Sequence, residues 1–241
     1  MTAGVYVGTA AWAVPRPLAD RFPAEGSQLE RYAARLGAAE INSSFYRPHR
    51  RQTYKRWAAS VPEAFRFAVK LPKAISHAPS LAGHDAAITA FAEQVTGLGD
   101  KLGALLVQFA PRRAFAADAD ALFDRLATLP CPIACEPRHA SWFTPDVDAW
   151  LAARRIARVA ADPARVPGAD VPGGWPGLRY FRLHGSPQIY RSDYDDAALA
   201  AWQAAVAVAA AGAPTWCIFD NTTAYAATGN ALSLAAALAI K

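Results

Sequence analysis

The sequence lacks most of the features that would remove it from the class of ordinary folded proteins. No uninterrupted apolar stretch reaches the roughly 20 residues needed to span a bilayer, so no membrane association is expected. Cysteine is scarce. Cys131, Cys135 and Cys217 form an odd set without zinc-ligand spacing and read as small buried apolar residues of a reduced, cytoplasmic protein. There is no GxSxG elbow, P-loop, GxGxxG turn or HExxH pair, which removes the usual sequence marks of serine hydrolases, phosphate cradles, dinucleotide sites and zinc proteases. No signal peptide is expected either, because Met1-Thr2-Ala3-Gly4 runs straight into the strand-like Val5-Tyr6-Val7. Charged residues make up only 19% of the chain against 53% hydrophobic, a balance that excludes disorder and favours a buried core.

The charge that is present sums to +5 and is carried mostly by arginine, which favours anionic partners in general. The densest run, His49-Arg50-Arg51 with Lys55-Arg56, reads first as the solvated face of a helix. Contact with nucleic-acid phosphates is the weaker reading.

What remains is an alternation of strand and helix patterns. Strands are expected at Val5–Trp12, Ala38–Ser44, Phe65–Leu71, Ala104–Ala110, Pro132–Glu136, Ala157–Asp162, Leu178–His184 and Trp216–Asp220. A capping box, Ser27-x-x-Glu30, opens the first helix, and Thr144-Pro145 opens another. Repeated β-α units with short connections predict an α/β fold, an irregular triosephosphate-isomerase-type parallel barrel of seven to eight strands forming one domain over residues 1–241. Between Asp162 and Leu178 the Pro- and Gly-rich segment has no helical period, so one barrel helix is expected to be missing or vestigial.

Most of these strands end in polar residues, and in a parallel barrel the C-terminal strand ends converge on the rim where such enzymes react. Parity assigns the faces, because residues two apart on a strand share a side. Leu105, Val107 and Phe109 form an outward row that leaves Gln108 inward, and Lys70 stands opposite Phe67, Val69 and Leu71. Arg182 shares a face with His184, Glu40 with Asn42, and Glu136 with Arg138. The expected inward set is Glu40, Asn42, Lys70, Gln108, Glu136, Arg138, Arg182, His184 and Asp220; Asp162 joins it with its face less well fixed. Asn221 follows at the same strand end. Trp12, Tyr46, Trp142, Tyr190 and Tyr194 lie beside this rim, either as platforms for flat ligands or as caps on the core.

Taken in order, Gly8-Thr9, Glu40-Ile41-Asn42-Ser43-Ser44-Phe45-Tyr46, Phe67-Ala68-Val69-Lys70-Leu71-Pro72, Ile75-Ser76-His77, Leu105-Leu106-Val107-Gln108, Glu136-Pro137-Arg138-His139-x-Ser141-Trp142-Phe143, Tyr180-x-Arg182-Leu183-His184-Gly185 and Asp220-Asn221-Thr222 cover nearly the whole chain. Together they resemble the family called domain of unknown function 72, or YecE-like. The resemblance implies an irregular barrel and no agreed activity. Two departures stand out. Members usually carry Gly-Thr-Ser-Gly-Trp where this chain has Gly8-Thr9-Ala10-Ala11-Trp12. A Tyr-x-Gly-x-Tyr loop appears here as Tyr190-Arg191-Ser192-Asp193-Tyr194.

Chemically, the set mixes acids (Glu40, Glu136, Asp220) with Lys70, Arg138 and Arg182. One reading is a buried ion-pair network that fills the barrel. The favoured reading is a hydrolase-like enzyme for a small phosphorylated or nucleic-acid-related anion. Lys70, Arg138 and Arg182 would hold the anion, Glu136 would act as base or nucleophile, and His184 would be the complementary acid, with Glu40 and Asp220 as further catalytic candidates. Asn42, Tyr46, Gln108, Trp142, Tyr190, Tyr194 and Asn221 would complete the binding surface. Alternatives are a carbohydrate-active enzyme using two of the three carboxylates, or a non-catalytic anion-binding protein. Glu40, Glu136, His184 and Asp220 could in principle ligate a divalent metal, but the interleaved Lys and Arg would repel it, so no metal or cofactor is expected.

Overall fold

The computed structural model describes residues 4–240. Among them, ten strands and eight helices follow in chain order: β1 (Val5–Ala10), α1 (Gln28–Ala33), β2 (Ala38–Ile41), α2 (Arg51–Ala59), β3 (Arg66–Lys70), α3 (Lys73–Ser76), α4 (Asp85–Val95), β4 (Leu102–Gln108), α5 (Asp118–Leu126), β5 (Ile133–Glu136), α6 (Pro145–Ala153), β6 (Ile156–Arg158), β7 (Ala160–Asp162), β8 (Gly173–Gly174), β9 (Arg179–Leu183), α7 (Asp196–Ala210), β10 (Thr215–Phe219) and α8 (Ala226–Ala237). All lie in one sheet of order β7-β9-β10-β1-β2-β3-β4-β5-β6-β8, parallel except for the two-residue β8. β6 and β7 are halves of one strand broken at Val159. The first half pairs with β5 and the second with β9, so this strand joins the two ends of the sheet and nearly closes the barrel. The fold is the expected triosephosphate-isomerase type.

Local signals account for the elements. Ser27 and Glu30 form the reciprocal capping box on α1, and the Thr144 side chain accepts from Val147 N–H with Pro145 in the first turn of α6. No helix follows β7. Four prolines between Pro163 and Pro176 remove backbone donors, and the segment instead folds as turns around β8. Helices from the other units pack Leu29, Tyr54, Phe91, Leu122, Leu151 and Val206 against the outward strand row of Val7, Val69, Val107, Phe181 and Phe219.

The inward row divides by depth. Towards the N-terminal end, Trp216 stacks on Tyr180 (5.8 Å, 5°) and on Tyr6 (4.8 Å, 29°). These rings share a cluster with Ala38, Ala68, Ala104, Ala134 and Ala157, one alanine from each of five strands. Large rings against alanines fill a fixed interior volume at high density. Gly103 belongs to this fit, because a Cβ there would stand 2.5 Å from the Trp216 ring. Towards the C-terminal end the same row turns polar.

Candidate functional site

Further along the inward rows lie Glu40 on β2, Lys70 on β3 and Glu136 on β5, each two residues beyond an alanine, Gln108 on β4, four beyond Ala104 with Leu106 between, and Arg182 on β9, two beyond Tyr180, with His184 and Asp220 just past their strands. All seven are buried. Arg182, 0% exposed, organises them. Its Nε and Nη2 donate to the two oxygens of Glu40 (3.0 and 2.7 Å), Nη1 to Glu136 Oε2 (2.7 Å), and Nη2 also to Asp220 Oδ2 (3.0 Å). Glu136 further accepts from Gln108 Nε2 (2.9 Å) and Arg138 Nε (3.1 Å). The Tyr180 hydroxyl donates to Glu40 Oε2 (3.0 Å).

His184 bridges two carboxylates, with Nδ1 3.0 Å from Asp220 Oδ2 and Nε2 3.1 Å from Glu136 Oε1. Burial opposes a charge on this imidazole, but the Glu136 charge and the hydrogen bonds to Asp220 and Glu136 outweigh it and raise the pKa. Carboxylate oxygens on both sides favour the imidazolium, which can donate to each, while Arg182 Nη1, 3.5 Å from Nε2, works against it. Burial likewise works against ionised Glu136, yet Arg182, His184 and Arg138 hold it well below the usual carboxylate range. Asp220 is lowered as well: burial again opposes, and Arg182 and His184 prevail.

The pairs leave one charge over. Three carboxyl groups (Glu40, Glu136, Asp220) face Arg182, Arg138 and His184, and Lys70 is the surplus cation. Lys70 is 5% exposed, and among the described residues its ammonium makes no ion pair; it sits 4.2 Å above the Phe45 ring. Burial first, then the neighbouring Arg182, depress its pKa to about 8, against the pull of the three acids. Ser44 fixes the Phe45 turn: its hydroxyl lies 2.8 and 2.7 Å from the carbonyls of Ile41 and Lys70, which share its one proton. Nearby, the buried Asn42 Oδ1 has no hydrogen-bond partner.

Space above the network is small. A gap of about 10 Å³ borders Glu136, Arg138 and His184, and the loop carrying Tyr190 covers it, with Arg138 Nη2 3.4 Å from the Tyr190 hydroxyl. A roomier cleft of about 440 Å³ opens beside Phe45, Tyr46 and His77.

The model of a family described as "Protein of unknown function DUF72" matches residues 6–241. The chain belongs to the DUF72 family. It is 28% identical over 145 residues to the UPF0759 protein YecE of Escherichia coli K12; the match covers 58% of this chain and 50% of that protein, so it spans only half the length of this relative. A solved DUF72 family structure from Enterococcus faecalis V583 superposes with a TM-score of 0.82 at 25% identity, over 98% of this chain and 96% of that one. One from Thermotoga maritima MSB8 gives 0.79 at 21%, over 98% and 99%.

The two departures from the DUF72 pattern have physical readings. Ala11, where members carry glycine, has φ 68°, so here an L residue occupies left-handed backbone. Ser192, in place of the loop glycine, is not in that region. Its hydroxyl accepts from Gln188 N–H (2.9 Å), and Tyr190 carries the positive φ (69°) instead.

Several expected binding residues have structural roles instead. Arg182 has every nitrogen committed to a carboxylate and none left for a ligand. Trp142 is 0% exposed, stacks on Phe109 at 4.9 Å and donates from Nε1 to the Arg113 carbonyl, so it belongs to the helix-facing core. Trp12 packs edge-on to Trp57 and Phe67. The buried Tyr194 hydroxyl donates to Asp162 Oδ2 (2.6 Å) and accepts from Gly185 N–H, which takes Asp162 away from the inward network. Asn221 is buried and donates to the Ser192 carbonyl and to Asn230, tying two loops together. Of the aromatics, Tyr46 (77% exposed) and Tyr190 (37%) remain open at the rim. Of the cysteines, Cys135 and Cys217 are buried; Cys131 is half-buried, its thiol pushed up to about 12 by burial. Tyr180 and Phe45 were not anticipated. Tyr180 shares strand parity with Arg182, a signal that could have found it.

A metal fits poorly. The candidate ligands Glu40, Glu136 and Asp220 converge on a guanidinium, which occupies the position a cation would need. Among the described residues no group of three or more His, Cys, Asp or Glu side chains is arranged around a possible ion. No described helix is long and apolar enough to cross a membrane.

Proposed function

We propose that this DUF72 protein is an enzyme of hydrolase-like type acting on a small phosphorylated or otherwise anionic substrate at the C-terminal rim. The surplus cation Lys70 carries the reading: an anion beside it would complete a layer whose other charges are already matched. Arg138, half-buried and shared between Glu136 and Tyr190, is the second contact, and Asn42, Gln108, Tyr46 and Tyr190 would border the ligand. Entry requires the Tyr190 loop to move aside, since the gap beneath it is too small for a substrate.

For the chemistry, His184 carries the proton. Its 3.1 Å contact with Glu136 lets the pair hand that proton to a leaving oxygen and recover one from water. Glu136, held ionised, serves mainly to orient and stabilise the imidazolium. Asp220 supports the ring from the other nitrogen. The carbohydrate alternative is weaker, because it needs a carboxylic acid kept protonated. Glu136 and Asp220 are instead held ionised, and Glu40 is clamped on both oxygens.

Titration calorimetry with inorganic phosphate tests this reading. Wild type should bind at millimolar concentrations or tighter, and Lys70→Gln should weaken binding about tenfold or more while unfolding at no lower a temperature. Phosphate indifference, together with binding of neutral sugars, would transfer the site to the carbohydrate reading.

A further inference from the structure

The identity of the surplus cation is itself informative. The chain places positive charge on arginine at twenty positions and on lysine at five. Arginine would grip an anion better, because its planar fork binds phosphate or carboxylate bidentately and never loses its proton. Yet among the described residues the one buried cation that is free of ion pairs is a lysine. It stands at the end of a barrel strand, over an aromatic ring, and feels the charge of the Arg182 guanidinium. Desolvation and a neighbouring cation are the two conditions that turn a lysine amine into a nucleophile.

We propose that Lys70 is a covalent amine nucleophile, and that the substrate class of the site is small anionic aldehydes and ketones, bound as an imine. This rests on the anion-binding reading above and sharpens it by naming the reacting group. The neutral Nζ adds its lone pair to the carbonyl carbon, and the C=O electrons move to oxygen, which takes up a proton as the newly bonded nitrogen gives one up. The resulting carbinolamine loses its hydroxyl as water after a second protonation, leaving an iminium. Overall, ammonium plus carbonyl gives iminium plus one water, so atoms and charge balance. His184 is the proton-bearing acid of the same layer and returns to the imidazolium from solvent. With a pKa of about 8, Lys70 would be neutral in roughly a tenth of molecules at pH 7, far more than a surface lysine.

The test is reductive trapping. The protein is incubated with glycolaldehyde phosphate, or separately with unphosphorylated glycolaldehyde, in the presence of cyanoborohydride, and adducts are mapped by peptide mass spectrometry. Lys55, Lys73 and Lys101 on the same molecule serve as internal controls. The expected result is at least tenfold faster labelling at Lys70 than at the controls, rising with pH through about 8. Phosphorylated probe should react faster than unphosphorylated, and added inorganic phosphate should slow it. Lys70→Arg, which keeps the charge, should lose the adduct. Should that variant misfold, the phosphate competition on wild type decides in its place. Labelling of residue 70 no faster than the controls, with phosphate still bound calorimetrically, overturns the covalent role and leaves the anion reading standing. Fast labelling of Lys70 that ignores phosphate keeps the amine chemistry and removes the anion specificity from both proposals.

Discussion

The two ends of the barrel interior are built from the same strands and filled by opposite means. At the N-terminal end, Trp216, Tyr180 and Tyr6 pack against five alanines and no charge is present. At the C-terminal end, further along the same inward rows of β2, β3, β4, β5 and β9, Glu40, Lys70, Gln108, Glu136 and Arg182 replace them. The apolar end shows that a layer of this interior is filled without buried ions. The polar end therefore takes on a desolvation cost that filling the interior does not require, since well-packed apolar groups often match or exceed a buried ion pair in stability. That difference is what supports reading the polar end as a site.

The comparison breaks most sharply at Arg182. Arg182→Leu leaves Glu40, Glu136 and Asp220 facing one another in the interior, and the expected loss is about 3–5 kcal/mol in urea unfolding near neutral pH. At pH 3, where the orphaned carboxyls can take protons, the loss should shrink. A cost below about 1 kcal/mol at neutral pH would mean that the network is held far less tightly than its geometry implies.

At the other end, Ala68→Leu adds three carbons to a layer already filled by rings. Overpacking there should cost about 1–3 kcal/mol, with no dependence on pH. Equal costs at pH 3 and pH 7 would confirm that the two ends are energetically distinct; a strong pH dependence would show that strain at the alanines reaches the ions.

A smaller effect lies in the pH profile of the wild type. The raised pKa of His184 contributes stability in full below its ordinary 6.5, and that contribution is lost as pH rises through the folded value. Glu136 and Asp220, with lowered pKa values, contribute above their ordinary 4.5 and 3.8 and lose it as pH falls. Lys70 acts oppositely to His184: its buried charge is a cost below about 8, relieved as pH rises towards 10.5. Stability should plateau between pH 4.5 and 6.5, decline above, and partly recover beyond about pH 8. His184→Gln should flatten the decline, and Lys70→Gln should abolish the recovery. A wild-type profile flat from pH 5 to 9 would contradict the charge assignment.

Strand parity made the polar end legible because the side-chain period of a strand is fixed at two, whatever the packing around it. Gln108 against Leu105, Val107 and Phe109 is the plainest case. Parity reaches only as far as the strands. Trp142 ends a single 3-10 turn (Ala140–Trp142) and Tyr194 lies on a loop, where a side chain's direction follows turn geometry, and both turned into the core. The break at Val159 was equally hidden, since β6 and β7 read as one continuous apolar run. Tyr180 has the right parity but reads as a core ring, and only the Glu40 distance exposes its hydroxyl as part of the network. That Lys70 makes no ion pair among the described residues is a fact of distances that no pattern of residue types contains.

The smallest expected effect separates strain from chemistry at the same rim. Ala11 follows β1, and its N–H donates to the carbonyl of Glu40 at 2.8 Å while its own carbonyl accepts from Thr9 Oγ1. These bonds hold its backbone at φ 68°, where an alanine Cβ crowds the following carbonyl. The side chain itself is exposed, so replacing it loses little packing. Ala11→Gly relieves the crowding while adding entropy to the unfolded chain, and the net gain should be about 0.5–1 kcal/mol in urea unfolding. Because the Glu40 carboxylate is fixed by Arg182 and Tyr180 rather than by this bond, phosphate binding should not change. A weakened site in the more stable variant would mean that the strained turn holds the polar layer in place; a destabilised variant would mean that the left-handed turn imposes no strain on Ala11.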